Sequence, residues 1–404
     1  MSDVHPDLPP FATIRAALVS VTDRLAGEIQ SPQDGAPDWN DFEWGIARSV
    51  CVMHGLAGIL SRRLRWRGPD SWTRFLGEQH RHMRLREARA RDMLARLHDA
   101  TCARGIAIVP LKGSALLALG VHEQGVRPMS DIDLLVAPRD LAALGEALQS
   151  VGYQPRYTTR RHAVFVPVDQ PLPDIFGEHV DVPFRIEVHL AIAEPLPVSM
   201  VDITARVWPG EARPGINAYS GNAALFRHLL LHTTGGMLTN TLRFMQVIDL
   251  ACFAPRLGPA EWSELTADAE HAWWMYPVLQ MVTRFFPDAI CADVLATTRA
   301  ACPKLLRRAR HELAEVSWSN LSIPALPGYE WSRSPLEFLR YARSRLIPKR
   351  QALAELDDAV ANQPALQRVP WYDQSHVTRI LRWITSHPPR VQTIATVLAG
   401  QTRR

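Results

Sequence analysis

Two aspartates one residue apart, at the start of a short apolar run, are the side chains of this sequence best suited to chemistry. The segment reads Ser130-Asp131-Ile132-Asp133-Leu134-Leu135-Val136. Side chains alternate faces along a strand, so a strand here puts Asp131 and Asp133 on one face and Ile132, Leu134 and Val136 on the other. Two carboxylates placed that way repel one another beside an apolar core, and a cation between them relieves the repulsion. Hard oxygen donors at this spacing suit Mg²⁺, which keeps part of its water shell and joins protein carboxylates to substrate phosphates. A third carboxylate is expected from a neighbouring strand. In Arg185-Ile186-Glu187-Val188-His189-Leu190, Arg185, Glu187 and His189 share one face, and Ile186, Val188 and Leu190 point to the core. If the two strands pair side by side, Glu187 completes a three-carboxylate site, with Glu178 and Asp181 competing for that role. Two ions about 4 Å apart on such a site suit an in-line phosphoryl transfer.

Upstream lies Leu111-Lys112-Gly113-Ser114, where a strand gives way to a helix. A glycine at such a junction lets the backbone approach a ligand, and a helix N-terminus offers free N–H groups and a partial positive charge. Gly113 and Ser114 therefore read as a phosphate cradle, to which Lys112 can add a point charge. Lysine is scarce here: Lys112, Lys304 and Lys349 are the only three, and arginine supplies the rest of the positive charge. A retained lysine marks a position suited to a compact ammonium. Arg127 is a candidate for substrate binding, with a salt bridge to Asp131, still at the edge of the site, as the simpler reading. His189 is a candidate only because it shares the Glu187 face. His228 and His232 have ligand spacing on a helix, but with no third ligand in view a core or capping role is expected.

Elements that position these residues follow from periodicity. Apolar residues recur at helical spacing from about Phe11 to Ala100, most clearly from Asp70 onward, where Trp72, Phe75, Leu76, Met83, Leu94 and Leu97 punctuate a charged run. Gly105 is a stop. Short strands are predicted over Ile106–Val109, Ser130–Val136, Ala163–Val168 and Val180–Ile192, with short helices over Ser114–Leu119 and Asp140–Val151. Helices return over Asn222–Thr233, Leu242–Phe253, Pro259–Ala269, Trp273–Phe286, Pro303–Ser317, Pro335–Leu346 and Val377–Ser386. The fold class is therefore α+β: a small mixed-sheet core flanked by N-terminal and C-terminal helical regions. The expected divisions are 1–104, 105–208 and 209–404.

Of the 404 residues 47% are hydrophobic and 21% charged, the balance of a globular chain rather than a disordered or collagenous one. A net charge of +4, without interleaved aromatic and basic residues, argues against a long nucleic-acid footprint. Five scattered cysteines with no CxxC pair argue against a disulfide framework or a structural zinc site. The amino terminus shows no leader pattern, and no run of about 18 apolar residues suggests a membrane span. A cytoplasmic location is the expectation.

In this order the residues resemble the DNA-polymerase-β nucleotidyltransferase superfamily. LKGSALL, GVRPMSDIDLLV and IEVHL resemble in particular a bacterial family sometimes called NTP-transferase family 5, and HLLLHTTGG and LRFMQVIDLA are similar to its later helical segments. Type IV abortive-infection toxins have a similar arrangement. The resemblance covers roughly Gly105 to Ala251. It implies phosphate binding by Gly113 and Ser114, metal binding by Asp131 and Asp133, and Glu187 as the third carboxylate, which activates or positions the acceptor. Lys112, Arg127 and His189 match recurrent positions whose roles are less settled. The implied reaction moves NMP from an NTP, with ATP the expected nucleotide and two Mg²⁺ ions as cofactor, onto an unidentified acceptor. That acceptor is a small molecule, a peptide, a protein or an RNA end, a tRNA end included. The alternatives are a toxin-like enzyme acting on tRNA or protein, and a catalytically silent nucleotide sensor.

Overall fold

The computed structural model describes residues 8–158, 162–168, 175–267, 272–322, 324, 326–348, 350, 375–386 and 389–402. Residues 1–7, the start of the stretch read for a leader, the closing pair 403–404, and positions 268–269 and 388 of the expected helix and break lie outside these.

Four helices come first: α1 (Phe11–Gln30), α2 (Asp41–His54), α3 (Ala57–Arg63) and α4 (Asp70–Cys102). Asn40 caps α2 by accepting from the Glu43 N–H, and the Glu43 carboxylate accepts from the Asn40 N–H, a reciprocal capping box. α2 and α3 meet at a bend of 116°, made by Gly55 at φ 73, in the left-handed region that glycine tolerates. α4 is long because one apolar stripe runs its whole length. Trp72, Phe75, Leu76 and Met83 pack into one buried cluster, and Ala90, Leu94 and Leu97 into a second.

A six-stranded mixed sheet follows. It contains β1 (Ala107–Pro110), β2 (Asp131–Val136), β3 (Tyr153–Thr158), β4 (His162–Pro167), β5 (Arg185–His189) and, later, β8 (Gly215–Ile216), in the order β3-β4-β5-β2-β1-β8. α5 (Lys112–Ala118) and α6 (Leu141–Ser150) lie between its strands in sequence. β2 is antiparallel to β1 and parallel to β5. A separate hairpin, β6 (Ala193–Leu196) with β7 (Ser199–Asp202), precedes the short α7 (Thr204–Val207). The predicted strands are all present within a few residues. β3, β6, β7 and β8 were not expected. The polar β3 (Tyr-Gln-Pro-Arg-Tyr-Thr) and the two-residue β8 lie at the two edges of the sheet, where few side chains need burial and alternation is weak. β8 pairs with β1 beyond residue 208.

The remaining helices are α8 (Asn222–Leu238), α9 (Phe244–Phe253), α10 (Pro259–Thr266), α11 (Tyr276–Phe285), α12 (Ala292–Ala301), α13 (Lys304–Arg308), α14 (Pro335–Leu346), α15 (His376–Ser386) and α16 (Val391–Thr402). The helix expected over Pro303–Ser317 stops at Arg308. The backbone beyond it is used elsewhere: the Leu242 N–H donates to the Val316 carbonyl and the Trp318 N–H to the Leu242 carbonyl. Leu242 lies in this bridge, and α9 starts two residues later at Phe244.

Leu18, Val50, Phe226, Leu250, Val282 and Val397 share the larger cluster, so helices from both ends of the chain meet in one core. The smaller cluster lies between α4, α6 and one face of the sheet, built from Ile132, Leu134, Val136, Ile186 and Val188. Full burial of each such side chain contributes roughly 1.5–3 kcal/mol. The opposite face of β2 and β5 is left to the acidic residues.

Candidate active site

Parallel pairing of β2 with β5 sets Asp131 opposite Arg185, Asp133 opposite Glu187 and Leu135 opposite His189. Period-two alternation then places Asp131, Asp133, Glu187 and His189 on one face. His189 Nε2 is 2.8 Å from Asp133 Oδ1 and 3.9 Å from Glu187 Oε2. Lys112 Nζ donates to the same Asp133 oxygen at 2.7 Å. The two other candidates for the third carboxylate are engaged elsewhere: Glu178 pairs with Arg86 at 2.6 Å and Asp181 with His179 at 3.5 Å.

These carboxylates differ in charge preference. Burial raises Asp131, and the neighbouring Asp133 raises it further against the pull of Lys112, Arg243 and Arg127. Burial, followed by Asp131 and Asp133, pushes Glu187 up to about 7. Burial acts on Asp133 in the same sense, but the Lys112 ammonium and the His189 hydrogen bond overcome it and hold the carboxyl far below its usual range. Lys112 in turn stays charged: burial works against it, and Asp133 outweighs the burial. The donors thus form a crowded acidic set in which only Asp133 is fully compensated. A divalent cation is the group such a set lacks, and its hard oxygens fit one.

Lys112 is held in an unusual backbone conformation, φ 48, uncommon for a side chain of that size. Near it, the Tyr219 hydroxyl lies 2.7 Å from His228 Nδ1. Burial holds His228 neutral, so that nitrogen can accept.

Arg127 does not pair with Asp131, as the sequence suggested. Its Nε and Nη2 donate to the two carboxylate oxygens of Asp249, each at 2.9 Å, and Nη1 donates to the Pro128 carbonyl at 3.1 Å. A two-pronged match to a buried carboxylate in α9 outcompetes the crowded Asp131. His122 Nε2 adds a 2.8 Å contact to Asp249. Burial disfavours charge on His122, but the Asp249 hydrogen bond prevails and raises it to about 9. The guanidinium also lies against Gly113: a Cβ on that glycine would come within 2.3 Å of Arg127 Nη1. Gly113 is therefore required by close approach of a side chain. Ser114 stands apart from the others. Its Oγ is buried with no hydrogen-bond partner among the described residues, and its N–H donates to the Leu111 carbonyl.

Lys112, Gly113, Arg127, Asp131, Asp133 and Glu187 line a cavity of about 430 Å³, within the usual range for small-ligand sites. Gly235, Gly236, Thr239, Thr241, Arg243 and Asp249 line it as well, whereas His189 and Ser114 are not part of its wall. His232 reaches the cavity too, so it is not simply a core residue, and burial lowers it to about 3. From the sequence, Arg243 to Asp249 reads first as an amphipathic helix and then as a lid over the nucleotide; Arg243 and Asp249 do line the cavity, but the pairing of Asp249 with Arg127 is not foreseen. For Asp249 a signal exists: it is the one acid in the otherwise apolar run Val247-Ile248-Asp249-Leu250-Ala251.

Comparison with known proteins agrees with this geometry. The model of a family described as uncharacterised nucleotidyltransferase matches residues 40–284, more than half of the chain. The chain belongs to that family and is a nucleotidyltransferase. No curated protein and no solved structure matches it.

Proposed function

We propose that this protein transfers NMP from an NTP, ATP being the expected one, to an acceptor, with release of pyrophosphate. The observation that carries the reading is the parallel register placing Asp133 beside Glu187, with Asp131 on the same face, at the wall of a cavity that also presents Lys112 and Arg127. Asp131, Asp133 and Glu187 would hold Mg²⁺. Bound there, the ion would neutralise phosphate oxygens and the charge that grows on them during transfer.

The chain's own groups supply the rest. An acceptor oxygen or nitrogen attacks the α-phosphorus, the bond from that phosphorus to the bridging oxygen breaks, and pyrophosphate leaves with the electron pair. Glu187 takes the acceptor proton. Lys112 exchanges Asp133 for a phosphate oxygen. Arg127, clamped by Asp249, turns its remaining N–H groups to the phosphates across Gly113. Phosphate binding by Ser114 requires its amide to give up the Leu111 carbonyl or its buried hydroxyl to turn outward. The polar wall at Thr239, Thr241 and Arg243 borders the space left for sugar, base and acceptor. Five free cysteines fit the proposed reducing, cytoplasmic setting.

The test is pyrophosphate release with each of the four NTPs and Mg²⁺, alongside labelled-NMP incorporation in a lysate. Activity should vanish in the Asp131→Asn, Asp133→Asn double variant. Metal-dependent NTP binding without release would instead point to a sensor, and absence of NTP binding would refute the site.

A further inference from the structure

Among the described residues, three ligand atoms lie within 4.8 Å of one another on the acidic face: one oxygen each from Asp133 and Glu187, and a ring nitrogen of His189. The backbone already supplies this convergence. Glu187 and His189 alternate onto the same face of β5, and the parallel register brings Asp133 alongside Glu187. The side chains are sheltered, with 7% of Asp133 and 15% of His189 exposed. His189 Nε2 and Lys112 Nζ meet the same oxygen of Asp133, at 2.8 and 2.7 Å. Two nitrogen groups thus crowd the position that a cation on Asp133 would take.

We infer that His189 is a direct nitrogen ligand of one ion held by these carboxylates, and that this position prefers a transition ion such as Mn²⁺ to Mg²⁺. The inference rests on the proposed metal role of Asp133 and Glu187. Imidazole is a softer donor than carboxylate. It strengthens binding of first-row transition ions, whereas Mg²⁺ favours a shell made of oxygen. On binding, His189 gives up its contact to Asp133, keeps its proton on Nδ1, and offers the Nε2 lone pair to the ion. Lys112 leaves Asp133 in the same exchange and becomes free for phosphate. The arrangement divides labour between donors: carboxylates alone serve one ion, and carboxylates with imidazole serve the other.

The test is pulsed electron paramagnetic resonance of the full chain with stoichiometric Mn²⁺ and no nucleotide. The expected spectrum shows modulation from one coordinated ¹⁴N, which becomes ¹⁵N modulation when histidine is ¹⁵N-labelled. It should disappear in His189→Gln and persist in His232→Gln, with melting temperature confirming that both variants fold. Titration should show the Mn²⁺ Kd rising about tenfold or more in His189→Gln, and the Mg²⁺ Kd moving less than about threefold. Bound Mn²⁺ with no nitrogen coupling, or coupling lost in His232→Gln instead, would overturn the inference and leave the carboxylate assignment standing. Failure of the wild-type chain to bind Mn²⁺ any better than the Asp131→Asn, Asp133→Asn variant would overturn both.

Discussion

Single residues decide how charge is arranged in the cavity. Among the described residues Lys112 is the one ammonium at the acidic cluster, and its backbone is left-handed. Its replacement by Met should lower kcat/KM for pyrophosphate release by about 100-fold or more, the usual cost of losing one group that stabilises developing charge. Lys112→Arg should not restore activity, because a planar fork cannot replace a compact ammonium on a single carboxylate oxygen. Near-wild-type turnover by the arginine variant would show that only charge matters. Asp249 makes a different kind of contribution. It is almost fully buried and compensates both Arg127 and His122. Asp249→Ala leaves those cations unpaired, and the expected loss is about 3–5 kcal/mol. Urea denaturation measures it, and a loss below about 1 kcal/mol would mean that the cations find other partners.

At the scale of elements, the last helix is fastened to the second by close backbone approach. Arg48 of α2 donates twice to the Gly400 carbonyl of α16, at 3.1 and 3.0 Å. A Cβ on Gly400 would lie 2.1 Å from Ser49 Oγ and 2.6 Å from the Gly45 carbonyl. Backbone cannot yield cheaply there, so Gly400→Leu should cost about 1–3 kcal/mol or release the helix altogether. Hydrogen exchange would reveal it as faster exchange confined to residues 391–402 and the facing side of α2. Unchanged protection would show that the two helices can move apart without penalty. Another fastening is hidden inside the larger core. His54 accepts the Phe244 N–H at the start of α9 through Nδ1, and its Nε2 lies 2.9 Å from Ser319 Oγ, which in turn meets Thr22 Oγ1 at 2.7 Å. One imidazole thus joins α1, α2, α9 and the segment after α13.

For the whole molecule, such buried histidines set an acid limit on stability. Burial lowers His54 to about 3 and His311 to about 4, while their ordinary value is 6.5. Both are neutral in the fold. Below pH 6.5 the unfolded chain binds protons that the folded chain refuses, so stability is fully present above 6.5 and falls as pH drops toward the folded values. Each contributes a slope of up to about 1.4 kcal/mol per pH unit in that window. Thermal melting from pH 7.5 to 5 should show a steady decrease, shallower in His311→Gln. A flat profile would contradict the buried, neutral state.

The sequence by itself determined the local pieces. The period of two in Asp131–Val136 and Arg185–Leu190 settled which side chains face together, because a strand leaves no other choice once it forms. The order Lys-Gly-Ser, Asp-x-Asp, Glu on an apolar strand was enough for the family and for an α+β class. Tertiary structure alone decided what meets what. Register, not composition, put Glu187 rather than Glu178 or Asp181 beside Asp133, since any of the three satisfies a pattern written along the chain. Arg127 found Asp249, 122 residues away, because desolvation inside the fold rewards a two-pronged partner that no local spacing encodes. The helix expected after Pro303 stops at Arg308, and beyond it the Val316 carbonyl accepts from the Leu242 N–H, a partner that no local spacing encodes.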